Sequence, residues 1–157
     1  MKITKNIALV AHDNCKSDMA EWVEFNYRTL LKHHLICTGT TGRMVEEAFR
    51  KRLEKEEKKP MNYSITILKS GPLGGDQQLG AMIAEGKIDM LIFLWDPMQA
   101  QPHDVDVKAL LRISAVYNIP TACNRSSADF IISSHLLNEA YEPLLKDYTR
   151  YIMREAY

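Results

Sequence analysis

Apolar runs alternate along this chain with stretches in which apolar positions recur every three or four residues, so strands and helices are predicted in turn. Asn6–Ala11 and Met90–Leu94 are nearly unbroken apolar segments that stop at polar turns, as central strands covered on both faces do. Residues 35–38, 64–68 and 121–123 are predicted to add three shorter strands. Between the first two strands, Met19, Trp22, Val23, Tyr27, Leu30 and Leu31 make one helical stripe, which His33 and His34 end. A second helix is expected from near Arg43 with Thr40 or Thr41 as its N-cap, and a third after Asp76, with Leu79, Met82 and Ile83 facing inward. Asp104 or Asp106 caps a fourth helix carrying Val107, Leu110 and Leu111, and Ser126 or Ser127 starts a fifth through Phe130, Ile131 and Ile132. Residues 142–154 read as a helical, amphipathic tail, with Pro143 in its first turn. Five strands alternating with helices predict a three-layer α/β/α domain of flavodoxin-like architecture, with a mostly parallel five-stranded sheet.

The bulk numbers narrow the function. A length of 157 residues suits one domain, 1–157, and 20 basic against 20 acidic side chains give zero formal charge. That balance argues against nucleic acid or an acidic membrane as the main partner. Residues 46–59 carry eleven charges of mixed sign. Glu46 with Arg50, Glu47 with Lys51 and Glu54 with Lys58 stand four apart, acidic member first, the favourable order for a solvated helix face. Cys15, Cys37 and Cys123 are odd in number and outside any CxxC pattern, so reduced thiols in a cytoplasmic protein are expected. The first residues turn polar too soon for a signal peptide, and no apolar stretch approaches the ~20 residues of a membrane helix. His33, His34 and His135 read as surface residues.

Chemistry concentrates where strands end. Ser70-Gly71-Pro72-Leu73-Gly74-Gly75-Asp76 leaves the third strand, turns through three glycines and delivers a carboxylate to a helix start. Similar corners are His12-Asp13-Asn14-Cys15-Lys16, Thr38-Gly39-Thr40-Thr41-Gly42, and Trp95-Asp96-Pro97 running on to His103-Asp104-Val105-Asp106. At the carboxyl ends of parallel strands these corners would meet at one crevice. Thr38, Thr40, Thr41 and Ser70 offer hydroxyls, Gly39, Gly42 and Gly71 let backbone amides approach, helix N-termini add partial positive charge and Lys16 a full one. Together they describe a cradle for a dianionic phosphate without a metal. Read singly, each corner is more simply a set of caps and turns; it is the convergence of several on one rim that favours the cradle. Asp76 beside bound phosphate can act as a base toward a carbon alpha to a carbonyl, and a neutral His103 can polarise that carbonyl and shuttle protons, with Asp106 three positions on. His12 adds a further donor or is a satisfied turn histidine. No HxH, HExxH, P-loop or GxGxxG spacing occurs, so neither a metal nor a dinucleotide is expected.

These four motifs, in this order and over nearly the whole length, resemble methylglyoxal synthases; Asn118-Ile119-Pro120 and Ala128-Asp129-Phe130 extend the match. The resemblance implies a cofactor-free lyase, a cytoplasmic homohexamer inhibited by phosphate, converting dihydroxyacetone phosphate to methylglyoxal and inorganic phosphate. It also implies roles. Asp76 resembles the catalytic base, His103 the electrophile and proton shuttle, and Asp106 and Asp96 supporting carboxylates. His12, Lys16, Thr38, Gly39, Thr40, Thr41, Ser70 and Gly71 resemble the substrate and phosphate contacts. The 46–59 segment is longer than the family's usual connection, and Arg150 and Arg154 do not align with its C-terminal basic residues. The alternative reading is a regulatory domain that binds a phosphorylated metabolite without catalysis, as related domains of carbamoyl phosphate synthetases do; it needs the cradle but neither Asp76 nor His103.

Overall fold

In the computed structural model, residues 1–56, 63–100 and 104–153 are described. Strands and helices alternate as β1 (Asn6–Ala11), α1 (Lys16–Leu30), β2 (His34–Cys37), α2 (Gly39–Lys55), β3 (Ser64–Ile67), α3 (Gly75–Ala84), β4 (Met90–Leu94), α4 (Asp104–Val116), β5 (Thr121–Ala122), α5 (Arg125–Ser133) and a short α6 (Thr149–Ile152). The sheet order is β3-β2-β1-β4-β5, and every pairing is parallel. The three layers are those expected, with the order reversing between β1 and β4, where Val10 stands beside Phe93 and Ala11 beside Leu94. A crevice therefore opens beyond the carboxyl ends of these two central strands.

Alternation along β1 and β4 builds two cores. Ile7, Leu9, Met90 and Ile92 face α1, α2 and α5 through Trp22, Val23, Val45, Phe49 and Ala128. Ala8, Val10, Leu91 and Phe93 face α3 and α4 through Leu79, Ile83, Val107 and Leu110. Both central strands are thus buried on both sides, which is why they read as continuous apolar runs. The predicted stripe on α1 buries Met19, Trp22, Val23, Tyr27 and Leu30, and Trp22 Nε1 donates to Asp129 of α5 at 2.8 Å. On α2 the inner face buries Val45, Ala48, Phe49 and Leu53. Its outer face carries charge pairs: Arg50 with Glu47 at 2.6 Å and Glu54 at 3.1 Å, and Lys51 with Glu47 at 3.5 Å. Arg50 thus reaches Glu47 and Glu54 where Glu46 was expected, and Lys58 lies outside the described residues.

Several local expectations are corrected. Helix α2 begins four residues before Arg43, with Thr38 at its N-cap and Thr40 and Thr41 inside its first turn. Asn124, not Ser126 or Ser127, caps α5, accepting the Ser127 N–H at 2.9 Å. The tail is not one helix. Residues 139–148 run without regular structure, and only Thr149–Ile152 is helical. Leu144 and Leu145 are 85% and 55% exposed, so no surface rewards an amphipathic stripe there, and short helices do not stand unaided. Arg154 lies outside the described residues.

His33 is also corrected: it is buried, and its Nδ1 accepts the Lys5 N–H at 3.2 Å. Burial, followed by the nearby charges of Lys5 and Lys32, holds its pKa below the ordinary 6.5. Just below that value the unfolded chain binds a proton that the folded chain refuses, so stability is full above about pH 6.5 and declines as pH falls further. The melting temperature is expected to drop between pH 7 and 5, and His33→Gln to flatten that drop.

Candidate active site

Three of the four corners meet at one cavity of about 220 Å³. Each places the start of a helix at its wall: Lys16 opens α1, Thr38 caps α2 with Thr40 in its first turn, and Asp76 is the second residue of α3. Helix N-termini carry partial positive charge and unsatisfied N–H groups, so three of them with an ammonium make a strongly anion-attracting pocket. Ser70, Gly71 and His12 complete the polar wall.

Asp76 is buried at 4% exposure, and its carboxylate lies over the Cα of Gly71. A Cβ at Gly71 would stand 3.0 Å from Oδ2 and 3.2 Å from Oδ1, so glycine is what lets the carboxylate approach. Asp76 is not the cap of α3; that position is Gly74, in the left-handed region at φ 99°. The Asp96 N–H donates to His12 Nδ1 at 3.3 Å, and the ring meets Phe93 edge-on at 5.2 Å. With Nδ1 accepting, the neutral imidazole carries its hydrogen on Nε2, which makes His12 a donor at the cavity wall.

Lys16 pairs with Asp13, whose carboxyl this hydrogen-bonded ammonium holds below the usual carboxylate range. Asp13 is 85% exposed and Lys16 26%, so an anion entering the cavity competes for an ammonium already close by. Asp96 lies outside the cavity lining. Its carboxylate accepts from Asn14 Nδ2 at 2.8 Å and from the Met98 N–H at 2.9 Å, and these bonds lower its pKa. Asp96 thus joins the first and fourth corners rather than facing the pocket.

The remaining expected residues divide. Thr41 is fully buried in α2 and does not line the cavity. The N–H groups of Gly39 and Gly42 are spent internally, on Lys69 O at 3.1 Å and Thr38 O at 2.9 Å, so neither glycine offers its amide to a ligand. Both are glycines for packing: a Cβ on Gly39 would meet Ser70 N at 3.0 Å, and one on Gly42 would meet Ile67 Cγ1 at 2.8 Å. Asp106 lines a separate cavity between α3 and α4, on whose wall Asp76 also stands. His103 lies outside the described residues. Sequence reading missed Phe93 and Pro72 as wall residues; Phe93 is the penultimate residue of a central strand, the one available signal. Among the described residues, no three His, Cys, Asp or Glu side chains are grouped to hold a metal ion. No described helix is long and apolar enough to cross a membrane.

A family model described as an MGS-like domain matches residues 18–123. The methylglyoxal synthase of Maridesulfovibrio salexigens is 54% identical over 99% of this chain and 99% of its own length. The chain belongs to the methylglyoxal synthase family. The Vibrio cholerae methylglyoxal synthase is 50% identical over 97% of this chain and 93% of its own. A crystal structure of methylglyoxal synthase from Elizabethkingia anophelis superposes with a TM-score of 0.87 at 46% identity, covering 99% of this chain and 95% of that one. Methylglyoxal synthases are named for their product, and with this likeness over the full length the chain is an enzyme of the same kind, acting on a small molecule.

Proposed function

We propose that the enzyme eliminates phosphate from dihydroxyacetone phosphate, releasing methylglyoxal and inorganic phosphate. The observation that carries this reading is the buried Asp76 carboxylate on the wall of a cavity ringed by three helix N-termini and Lys16. The phosphate of the substrate binds Lys16, Ser70, Thr38, Thr40 and the helix starts, with Gly39, Gly71 and Thr41 shaping the corners that hold them. His12 donates from Nε2 to a substrate oxygen. Asp76 takes a proton from the hydroxymethyl carbon, and the electron pair moves to the carbonyl oxygen, giving an enediolate. His103 polarises that oxygen and moves the enediol proton; Asp106, in the first turn of α4, and Asp96, which ties the first and fourth corners from outside the cavity lining, act as supporting carboxylates.

Once the proton of the terminal hydroxyl has passed to the former carbonyl oxygen, the electron pair on the terminal oxygen forms an aldehyde carbonyl. The C=C pair shifts toward the phosphate-bearing carbon, the bridging C–O bond breaks, and phosphate leaves with that bond's electrons. Loss is fast only when the bond stands roughly perpendicular to the enediolate plane, so the cradle selects that rotamer while neutralising the leaving group. The enol left behind takes a proton at its methylene carbon and becomes methylglyoxal.

Product phosphate fits the same cradle, so phosphate is expected to inhibit. Lys16→Met is expected to raise the Michaelis constant and relieve that inhibition together, read from initial rates at several phosphate concentrations. We also read the protein as a cytoplasmic enzyme without a cofactor and as a homohexamer, the last to be checked by the molar mass of the native protein in a sedimentation-equilibrium run. To test the reaction, the purified protein is mixed with dihydroxyacetone phosphate and a chelator, and dicarbonyl and free phosphate are followed together. Equal release of both is expected. Binding without release would instead make the chain a regulatory module.

A further inference from the structure

Gln78 sits on the exposed side of α3, yet its Oε1 accepts the backbone N–H of Lys69 at 2.9 Å. Lys69 ties the site together through both of its backbone groups. Its carbonyl accepts the Gly39 N–H at 3.1 Å, tying the end of the β3 segment to the first residue of α2. The same carbonyl oxygen lies where a Cβ of Gly75 would be, 2.1 Å from that position. Both backbone groups of this one residue therefore bind the second and third corners to each other and to α3. The residue that follows is Ser70, whose carbonyl accepts the Gly75 N–H at 2.9 Å. Asp76 is on α3, two residues before Gln78, with its carboxylate over Gly71.

We propose that Gln78 is a positioning residue for proton abstraction: its amide clamps the Ser70-Gly71 corner to the helix that carries Asp76. The inference rests on the reading of Asp76 as base and Ser70 as cradle. The substrate is held by groups on three corners, whereas the base moves with α3 alone. Without the clamp, the Lys69–Gly71 segment shifts relative to α3, and bound substrate is displaced relative to the carboxylate. Misplacement of about 1 Å can cost about 100-fold in rate while leaving binding largely intact. Because Gln78 is exposed, water satisfies the Lys69 N–H when the side chain is removed, so geometry is lost rather than stability.

The test uses Gln78→Leu, which keeps size and helix propensity but removes the acceptor, and Gln78→Glu, which keeps an oxygen facing the N–H. For Gln78→Leu, kcat for dihydroxyacetone phosphate is expected to fall about 10- to 100-fold, with the Michaelis constant changed less than about 3-fold and the melting temperature unchanged. Gln78→Glu is expected to restore most of kcat. Wild-type kcat in the Leu variant, equal loss in both variants, or a lowered melting temperature with kcat intact would each overturn the inference. A wild-type protein without turnover would overturn the reaction itself, and the inference with it.

Discussion

Asp76→Asn is expected to lower turnover by about 10²- to 10⁴-fold, the scale on which a positioned general base contributes, while phosphate still binds. Asparagine fills the space of the carboxylate over Gly71, so the corner is undisturbed. Its amide is too weak a base to take the proton from the hydroxymethyl carbon, and the enediolate does not form. Phosphate affinity is expected to hold or rise, because the substitution removes a buried negative charge from the wall of an anion pocket. Calorimetric titration with phosphate alongside the rate assay separates the two effects. Turnover within about tenfold of wild type, a loss too small for a general base, would remove Asp76 from that role.

Gly75→Ala is expected to damage both the fold and the reaction. The added methyl would lie 2.1 Å from the Lys69 carbonyl oxygen and 3.0 Å from two backbone carbons, obstacles that no side-chain rotation relieves. Relief requires the corner to open, which strains the Lys69 to Gly39 hydrogen bond and draws Ser70 away from α3. Overpacking of this kind costs about 1–3 kcal/mol, and more where backbone meets backbone. Turnover is expected to fall at least about 100-fold in the protein that remains folded. Gly80→Ala is the control on the same helix. Its methyl meets only Ile113 Cγ2 at 3.9 Å, so it is expected to fold and turn over normally. Denaturant melts with rates on all three proteins check the contrast.

The parts of this molecule legible in its sequence are those in which burial repeats. The apolar runs of β1 and β4 and the stripe from Met19 to Leu30 each report a layer on both sides or on one. Corners were legible too, because a glycine such as Gly74 at φ 99° is chosen by local geometry, although the caps themselves fell at Thr38, Gly74 and Asn124 rather than at the residues expected. Tertiary choices were not. The 142–154 segment has helical periodicity, but Leu144 and Leu145 find no surface to cover. His33 sits in a polar-looking pair, yet the turn that carries it folds under the N-terminal segment, and the Lys5 N–H reaches its ring. At the site, Asp96, which the resemblance implies as a supporting carboxylate, accepts from Asn14 and Met98 outside the cavity lining, and the glycine amides of α2 are consumed by the corner itself. Nothing in the order of residues announces that the Lys69 backbone would join α2 to α3.

The measurement that bears most directly on Asp76 and the cradle acting as one site is turnover of dihydroxyacetone phosphate in heavy water, followed by proton and phosphorus NMR. Expected is methylglyoxal with one deuterium on its methyl carbon and a protium-bearing aldehyde, formed with an equal amount of free phosphate. Deuterated triose phosphate accumulating without free phosphate would contradict it, because the enediolate would then be reprotonated rather than drained by loss of its leaving group.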